Sequence, residues 1–213
     1  MTNVDHLLFN DADHALFSSL SQDFNPLHSD PDYARRLPYG GTIIHGVHIV
    51  LRAFELLINN GYSLEHSFGV DCRFHNPINV NTQAAVSFSS ANKRITSIEV
   101  ASRDRMAVSV QISSSPEPAQ HVATPGQVSY ATPMFESPSQ ILTNVGKDRT
   151  ALADFAIRTP AVDPGYTTLF PSITNQVGWP LCYELGVISF LIGMYQPGLN
   201  SLLTHLSFKV SGM

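Results

Sequence analysis

Four stretches of the chain alternate apolar and polar residues, and two longer ones are apolar on most sides. At 106–113, Met106, Val108, Val110 and Ile112 alternate with Ala107, Ser109, Gln111 and Ser113, the period of a half-buried strand. Residues 83–90 and 95–102 read the same way. Ala91-Asn92-Lys93-Arg94 and Arg103-Asp104-Arg105 supply the turns between these three strands. A further strand is predicted at 67–74, broken by Asn76-Pro77. Ahead of it, 43–58 is the most apolar segment of the first half, closed by Asn60-Gly61 as a C-cap. A short helix is predicted over 12–20, capped by Asn10 or Asp11, with Leu16, Phe17 and Leu20 on one face. Asp30-Pro31 starts another that stops near Pro38, before a flexible turn at Gly40-Gly41. One long buried helix followed by at least four antiparallel strands implies an α+β layer, the sheet wrapping the helix.

The pattern changes at 114–140, where Pro116, Pro118, Pro125, Pro133 and Pro138 fall among Ser, Thr and Gln. This reads as a linker or a long surface connection. It then restarts. Residues 175–194 predict an apolar helix with Pro180 near its first turn and Pro197-Gly198 beyond its end, and 201–210 predict a strand. The shift that brings 43–58 onto 177–192 also brings 67–74 onto 201–208, so a degenerate internal repeat is the reading preferred. The organisation expected is a first unit over 1–115, a Pro-rich linker over 116–145, and a degenerate second unit over 146–213. The same shift carries the three remaining strands past Met213. The second unit is therefore expected to be incomplete. Its strand at 201–210 should present an open edge that a further chain segment or another chain completes.

Composition narrows the class. The chain has 213 residues, 43% of them hydrophobic and 14% charged, which suits a packed core rather than disorder. A formal net charge of −5 leaves no basic footprint for nucleic acid. His48, Arg52 and Glu184 interrupt the best apolar runs, so no membrane span is expected. Cys72 and Cys182 make neither a metal-ligand spacing nor a disulfide framework, and Cys72, within an alternating strand, reads as packing. The start Met-Thr-Asn-Val-Asp-His has no basic n-region or cleavage site. A reduced, cytoplasmic setting is the expectation.

The chemistry concentrates in Ser21-Gln22-Asp23-Phe24-Asn25-Pro26-Leu27-His28. A carboxylate and an imidazole five residues apart flank Asn-Pro, which holds a loop in a defined turn. Brought to one pocket, they can share proton transfer around a single water. The plainer alternative is that Asp23 and Asn25 cap turns and His28 lies on the surface. His45-Gly46, at the start of the buried helix, changes the weighting. Glycine admits a close ligand, and a helix N-terminus aims unpaired amides at developing negative charge. An acid–base pair beside such an amide suits addition or elimination next to a thioester carbonyl.

Ser-Gln-Asp-Phe-Asn-Pro-Leu-His-Ser-Asp-Pro followed by Ile-Ile-His-Gly-Val resembles the signature of the MaoC-like hot-dog proteins, the (R)-specific enoyl-CoA hydratases. Phe74-His75-Asn76-Pro77-Ile78 is similar to that family's strand after its helix, and the resemblance covers roughly residues 14–90. It implies a hot-dog fold, as a dimer or as two fused copies. Here that means a double hot dog with an incomplete second copy. It implies a lyase that hydrates a trans-2-enoyl thioester to the (3R)-hydroxyacyl form, or the reverse, in fatty acid metabolism. Asp23 and His28 would be the catalytic pair, and the Gly46 amide would polarise the carbonyl. Asn25 and His45 would join Gly46 in binding substrate. The acyl thioester of CoA or of a carrier protein is the substrate, with no cofactor and no metal implied. The expected partners are that thioester and either a second copy or a further segment.

Departures from the family pattern are Gln22 where glycine is common, Asn81-Thr82 at a turn that is often Gly-Asp, and His48 and Arg52 in the helix. Arg52 is expected to meet a neighbouring acid. Two rivals remain at this point: a dehydratase on carrier-protein substrates, and a non-catalytic thioester-binding subunit favoured by His48 and Arg52. A hot-dog thioesterase is weaker, Gly-x-Ser-x-Gly is absent, and a metal site of Asp23, His28, His45 and His48 is disfavoured. At the repeat offset Asp23 and His28 fall on Ile157 and Val162, while His45 and Gly46 fall on Trp179 and Pro180. The second copy is thus expected to be structural, walling the acyl tunnel, with Gly186, Gly193 and Gly198 serving close packing.

Overall fold

The computed structural model describes residues 3–64, 68–114, 134–135, 156–157, 160–195 and 202–210. Its centre is the buried helix that the sequence predicts. This helix, α4, runs Gly46–Asn59 after α1 (Asp11–Ser21), α2 (Pro26–Ser29) and α3 (Pro31–Ala34). Val47, Ile49, Val50, Leu51, Ala53, Phe54 and Leu57 of α4 are all buried, too many for one face, as a helix enclosed by a sheet requires. Ile43 and Ile44, expected inside it, lie before it, Ile43 in an isolated antiparallel bridge with Asn79. His45 is the N-cap.

The sheet around α4 comprises β1 (Asn3–Leu8), β2 (Phe68–Phe74), β3 (Gln83–Ala91), β4 (Arg94–Ser102), β5 (Arg105–Ser114) and β6 (His205–Val210). The order is β1-β3-β4-β5-β2-β6, antiparallel throughout. Both expected hairpins form. Asn92-Lys93 and Arg103-Asp104 have positive φ at both central positions, the twist that two-residue hairpins favour. The sequence pattern does not predict β1. It is an edge strand whose Val4 and Leu8 stay exposed while Leu7 is buried, too short an alternation to stand out.

The second half departs from expectation in two ways. The single helix expected at 175–194 is two, α6 (Pro171–Val177) and α7 (Trp179–Phe190), bent by 115°. Gly178 makes the break with φ +85°, a conformation glycine adopts at no steric cost. A single helical turn, α5 (Tyr166–Leu169), precedes them, and a π turn, Leu191–Tyr195, extends α7. Secondly, β6 does not stand apart from the first half. It pairs with β2 from Phe68↔Val210 to Arg73↔His205, and only its outer edge is free among the described residues. Tyr166, Leu169, Phe170, Ile173, Leu181, Cys182, Leu185 and Val187 join α4 and the sheet in one apolar cluster.

The pairing bears on the repeat. Cys72 faces Leu206, the residue onto which it is carried by the shift that superposes the two helices. An antiparallel pair centred on equivalent residues is what a local two-fold axis produces. Cys72 is fully buried there and its thiol is pushed up to about 12 by burial, so it packs. Of the expected linker over 116–145, all but Met134 and Phe135 lies outside the described residues, as does Pro197-Gly198. Among the described residues no single helix is long and apolar enough to cross a membrane.

Candidate active site

Local rules put the chemistry in place. Asn25 accepts from the Leu27 amide at 3.2 Å and caps α2, with Pro26 at its first position. That turn buries Asp23, Asn25 and His28. Gln22 stands in the left-handed region, φ 59°, a conformation that glycine adopts at no steric cost. Gly46 opens α4, so its amide belongs to the first turn, whose donors have no partner within the helix. Space also demands glycine here. A Cβ would stand 2.9 Å from two carbons of the Phe74 ring.

Asp23, His28 and Gly46 line one cavity of about 130 Å³, walled by Ile43, Ile44, Val47 and Ile49 and by Phe74 and Val108 of the sheet. The second half closes it with Ser189, Ile192, Gly193, Leu202, Leu203 and Thr204. The expectation that this half walls the site fits that lining. Gly193 is packed as a glycine must be: a Cβ would press on the Asp23 carboxylate, 2.8 Å from its Cγ.

Electrostatics follow from burial. The Asp23 carboxyl is raised to about 6 by desolvation, opposed by the Ser189 hydroxyl and the Asn25 amide. Ser189 Oγ donates to Asp23 Oδ2 at 2.8 Å, and the Asn25 amide donates to Oδ1 at 3.3 Å. His28 Nδ1–H donates to the Ile43 carbonyl at 2.7 Å, which leaves Nε2 with the lone pair. Burial lowers His28 to about 4, so it is neutral near pH 7. At that pH the site offers an ionised carboxylate and a neutral imidazole, both acceptors.

Asn25 and His45, expected to join Gly46 in binding substrate, are not among the residues that line the cavity. Asn25 Nδ2 is spent on the Gly193 carbonyl at 3.1 Å. His45 lies flat on the His28 ring, centroids 3.8 Å apart, and its Nε2–H donates to the Asp23 carbonyl at 3.2 Å. Burial holds His45 neutral, so its 3.6 Å approach to Asp23 Oδ2 is no ion pair. Asp23, His28 and His45 each offer a ligand atom within 4.8 Å of the others; His48 is not among them. The departures in α4 also point elsewhere. His48 is buried against Phe17, rings stacked at 4.6 Å, and Arg52 meets Asp13 at 3.6 Å. Neither lines the cavity. Ser189 does line it and escapes the sequence reading, because its partner, Asp23, lies in the other half of the chain.

A family model described as "MaoC like domain" matches residues 3–110. The chain belongs to the MaoC-like family. This MaoC-like protein has the family's hot-dog fold, its sheet curled around α4. Among solved structures it is similar to an (R)-hydratase from A. caviae involved in PHA biosynthesis, at 22% identity over 53% of this chain and 92% of that one, TM-score 0.42. R-hydratase PhaJ1 from Pseudomonas aeruginosa is 20% identical over 55% and 81%, TM-score 0.38. A chain of the ChsH1–ChsH2 complex from Mycobacterium tuberculosis is 13% identical over 54% and 96%, TM-score 0.39. The comparison with curated proteins found no match.

Proposed function

We propose that this MaoC-like protein is a hydro-lyase that adds water reversibly to a trans-2-enoyl thioester, giving the (3R)-hydroxyacyl thioester. The observation that carries the reading is that Asp23, His28 and Gly46, the first residue of α4, line one largely apolar-walled cavity. In the proposed step, a water held between Asp23 and His28 bonds through its oxygen to C3, and its proton passes to the pair. The C2–C3 π electrons move onto the thioester oxygen, where the Gly46 amide stabilises the enolate. The same pair then returns a proton to C2, the carbonyl re-forms, and the site is regenerated. Apolar walls suit an uncharged acyl group, since the one cation of α4, Arg52, is turned to Asp13.

CoA and carrier-protein thioesters present the same acyl chemistry, and comparing turnover on the two identifies the carrier. The non-catalytic reading loses its main support, because His48 and Arg52 do not reach the cavity. For the second half, a further segment or a second chain completing the free edge of β6 remains the proposal, read by the mass of the protein in solution. The deciding experiment follows loss of the enoyl-thioester absorbance of crotonyl-CoA. Asp23→Asn and His28→Ala are each expected to lower hydration by at least about a hundredfold. Rates within tenfold of the parent overturn the reading.

A further inference from the structure

We propose that Ser189 is a positioning residue for the Asp23 carboxylate, so that the reaction centre draws on both halves of the chain. The inference rests on the hydratase reading and deepens it. Three contacts converge on the same few ångströms. Ser189 Oγ donates to Asp23 Oδ2 at 2.8 Å, both side chains buried. One helical turn on, and so on the same face, the Gly193 carbonyl accepts from Asn25 Nδ2 at 3.1 Å. That bond ties the loop presenting Asp23 and His28 to the π turn. Gly193 also lies so close to the carboxylate that no side chain fits between them.

Ser189 is out of keeping with its helix. Trp-Pro-Leu-Cys-Tyr-Glu-Leu-Gly-Val-Ile-Ser-Phe is otherwise almost wholly apolar. A serine inside a helix commonly bonds back to a carbonyl one turn earlier; this one reaches across to Asp23 instead. The π turn follows immediately, at Leu191–Tyr195, a local irregularity that recurs at functional sites. The carboxylate thereby receives one donor on each oxygen, the Asn25 amide on Oδ1 and Ser189 on Oδ2. Two donors select a single orientation and favour the ionised form, leaving the remaining lone pairs for water.

The test uses the full chain with Ser189→Ala, Ser189→Thr and Asp23→Asn, assayed for crotonyl-CoA hydration from pH 5 to 9. Ser189→Ala is expected to lower kcat by roughly ten- to a hundredfold, as loss of a hydrogen bond to a charged group does. KM should stay within about threefold. The acidic limb of the pH profile should move up by about one pH unit, because the donor that favours ionised Asp23 is gone. Ser189→Thr, which keeps the hydroxyl, should restore most of kcat and return the limb to its parental position. A Ser189→Ala enzyme with parental kcat and an unmoved acidic limb overturns the inference. If the parent hydrates no enoyl thioester, the hydratase reading fails instead. Titration of ¹³C-labelled Asp23 then still reads the contact, which predicts a higher midpoint in Ser189→Ala and is overturned by an unchanged one.

Discussion

Gly46–Asn59 and Trp179–Phe190 are each an apolar helix followed by a strand at matching spacing, yet among the described residues only the first is wrapped by strands of its own half. The first half carries the groups that can move protons. The second carries Ile157 and Val162 at the matching positions, and the Val162 side chain is exposed. What the second half retains is packing, and one exchange of polar groups. Glu55 and Ser189 occupy the same position of the two helices under the shift that superposes them. Ser189 reaches into the first half to Asp23. Glu55 reaches into the second, where its carboxylate accepts from the Ser172 amide at 2.9 and 3.0 Å and from the Ile173 amide at 2.9 Å. The two halves are thus built against each other through one polar side chain from each.

The contrast is sharpest in acid. His14, His28, His45 and His48, all in the first half, are buried and lowered by desolvation. The unfolded chain therefore binds protons near pH 6.5 that the folded chain refuses, and stability falls as pH drops below that value. Asp23, raised to about 6, works in the opposite sense by binding a proton in the folded state at a pH where the unfolded chain does not. Four histidines act against one carboxyl, so the histidines dominate and stability falls as pH drops from 7 to 5. Urea midpoints measured between pH 7 and 5 should fall steeply. A flat profile would mean that these histidines are solvated.

Much of this is legible in the sequence, and the exceptions share a cause. The loop from Asp23 to His28, the glycine opening α4, the hairpins and the buried helix all follow from local rules, each satisfied within its own segment. The break of the second helix at Gly178 is a local matter too, concealed because its flanks are apolar on every side. That Asn25 and His45 stand outside the cavity lining has a different reason. Their partners, Gly193 and the backbone of Asp23, are fixed by tertiary packing. Ser189 and Glu55 are invisible in the same way, since each makes its contacts in the opposite half of the chain.

Glu55 gives the next largest effect. Phe170 caps α6 without a side-chain hydrogen bond, and the Glu55 carboxylate fills that role from the other half, with Asn59 Nδ2 at 3.3 Å on Oε1. Glu55→Gln removes the charge from bonds to two helix-terminal amides and puts a donor where an acceptor is needed. A loss of about 2 kcal/mol is expected. The midpoint should fall while crotonyl-CoA hydration at 25 °C stays near the parental rate, because Glu55 does not line the cavity. Unchanged stability would show that the Glu55 contacts add nothing net to the joining of the two halves.

The smallest effect has the opposite sign. His48 is fully buried, and neither ring nitrogen has a hydrogen-bond partner among the described residues. Its counterpart in the second helix is Cys182, also buried. What His48 gains is ring contact, stacked on Phe17 and edge-on to Phe9 and Phe170. An unpaired buried polar group costs more than such contacts return. His48→Met keeps comparable bulk, allows sulfur–aromatic contact and removes both unpaired nitrogens. The variant should be more stable by about 1 kcal/mol at pH 7, and by more at pH 5, where one of the histidines that opposes folding has been removed. Hydration should be unaffected. A lower midpoint at both pH values would instead assign His48 a partner essential to the core, and the first helix would then differ from the second by more than the loop from Asp23 to His28.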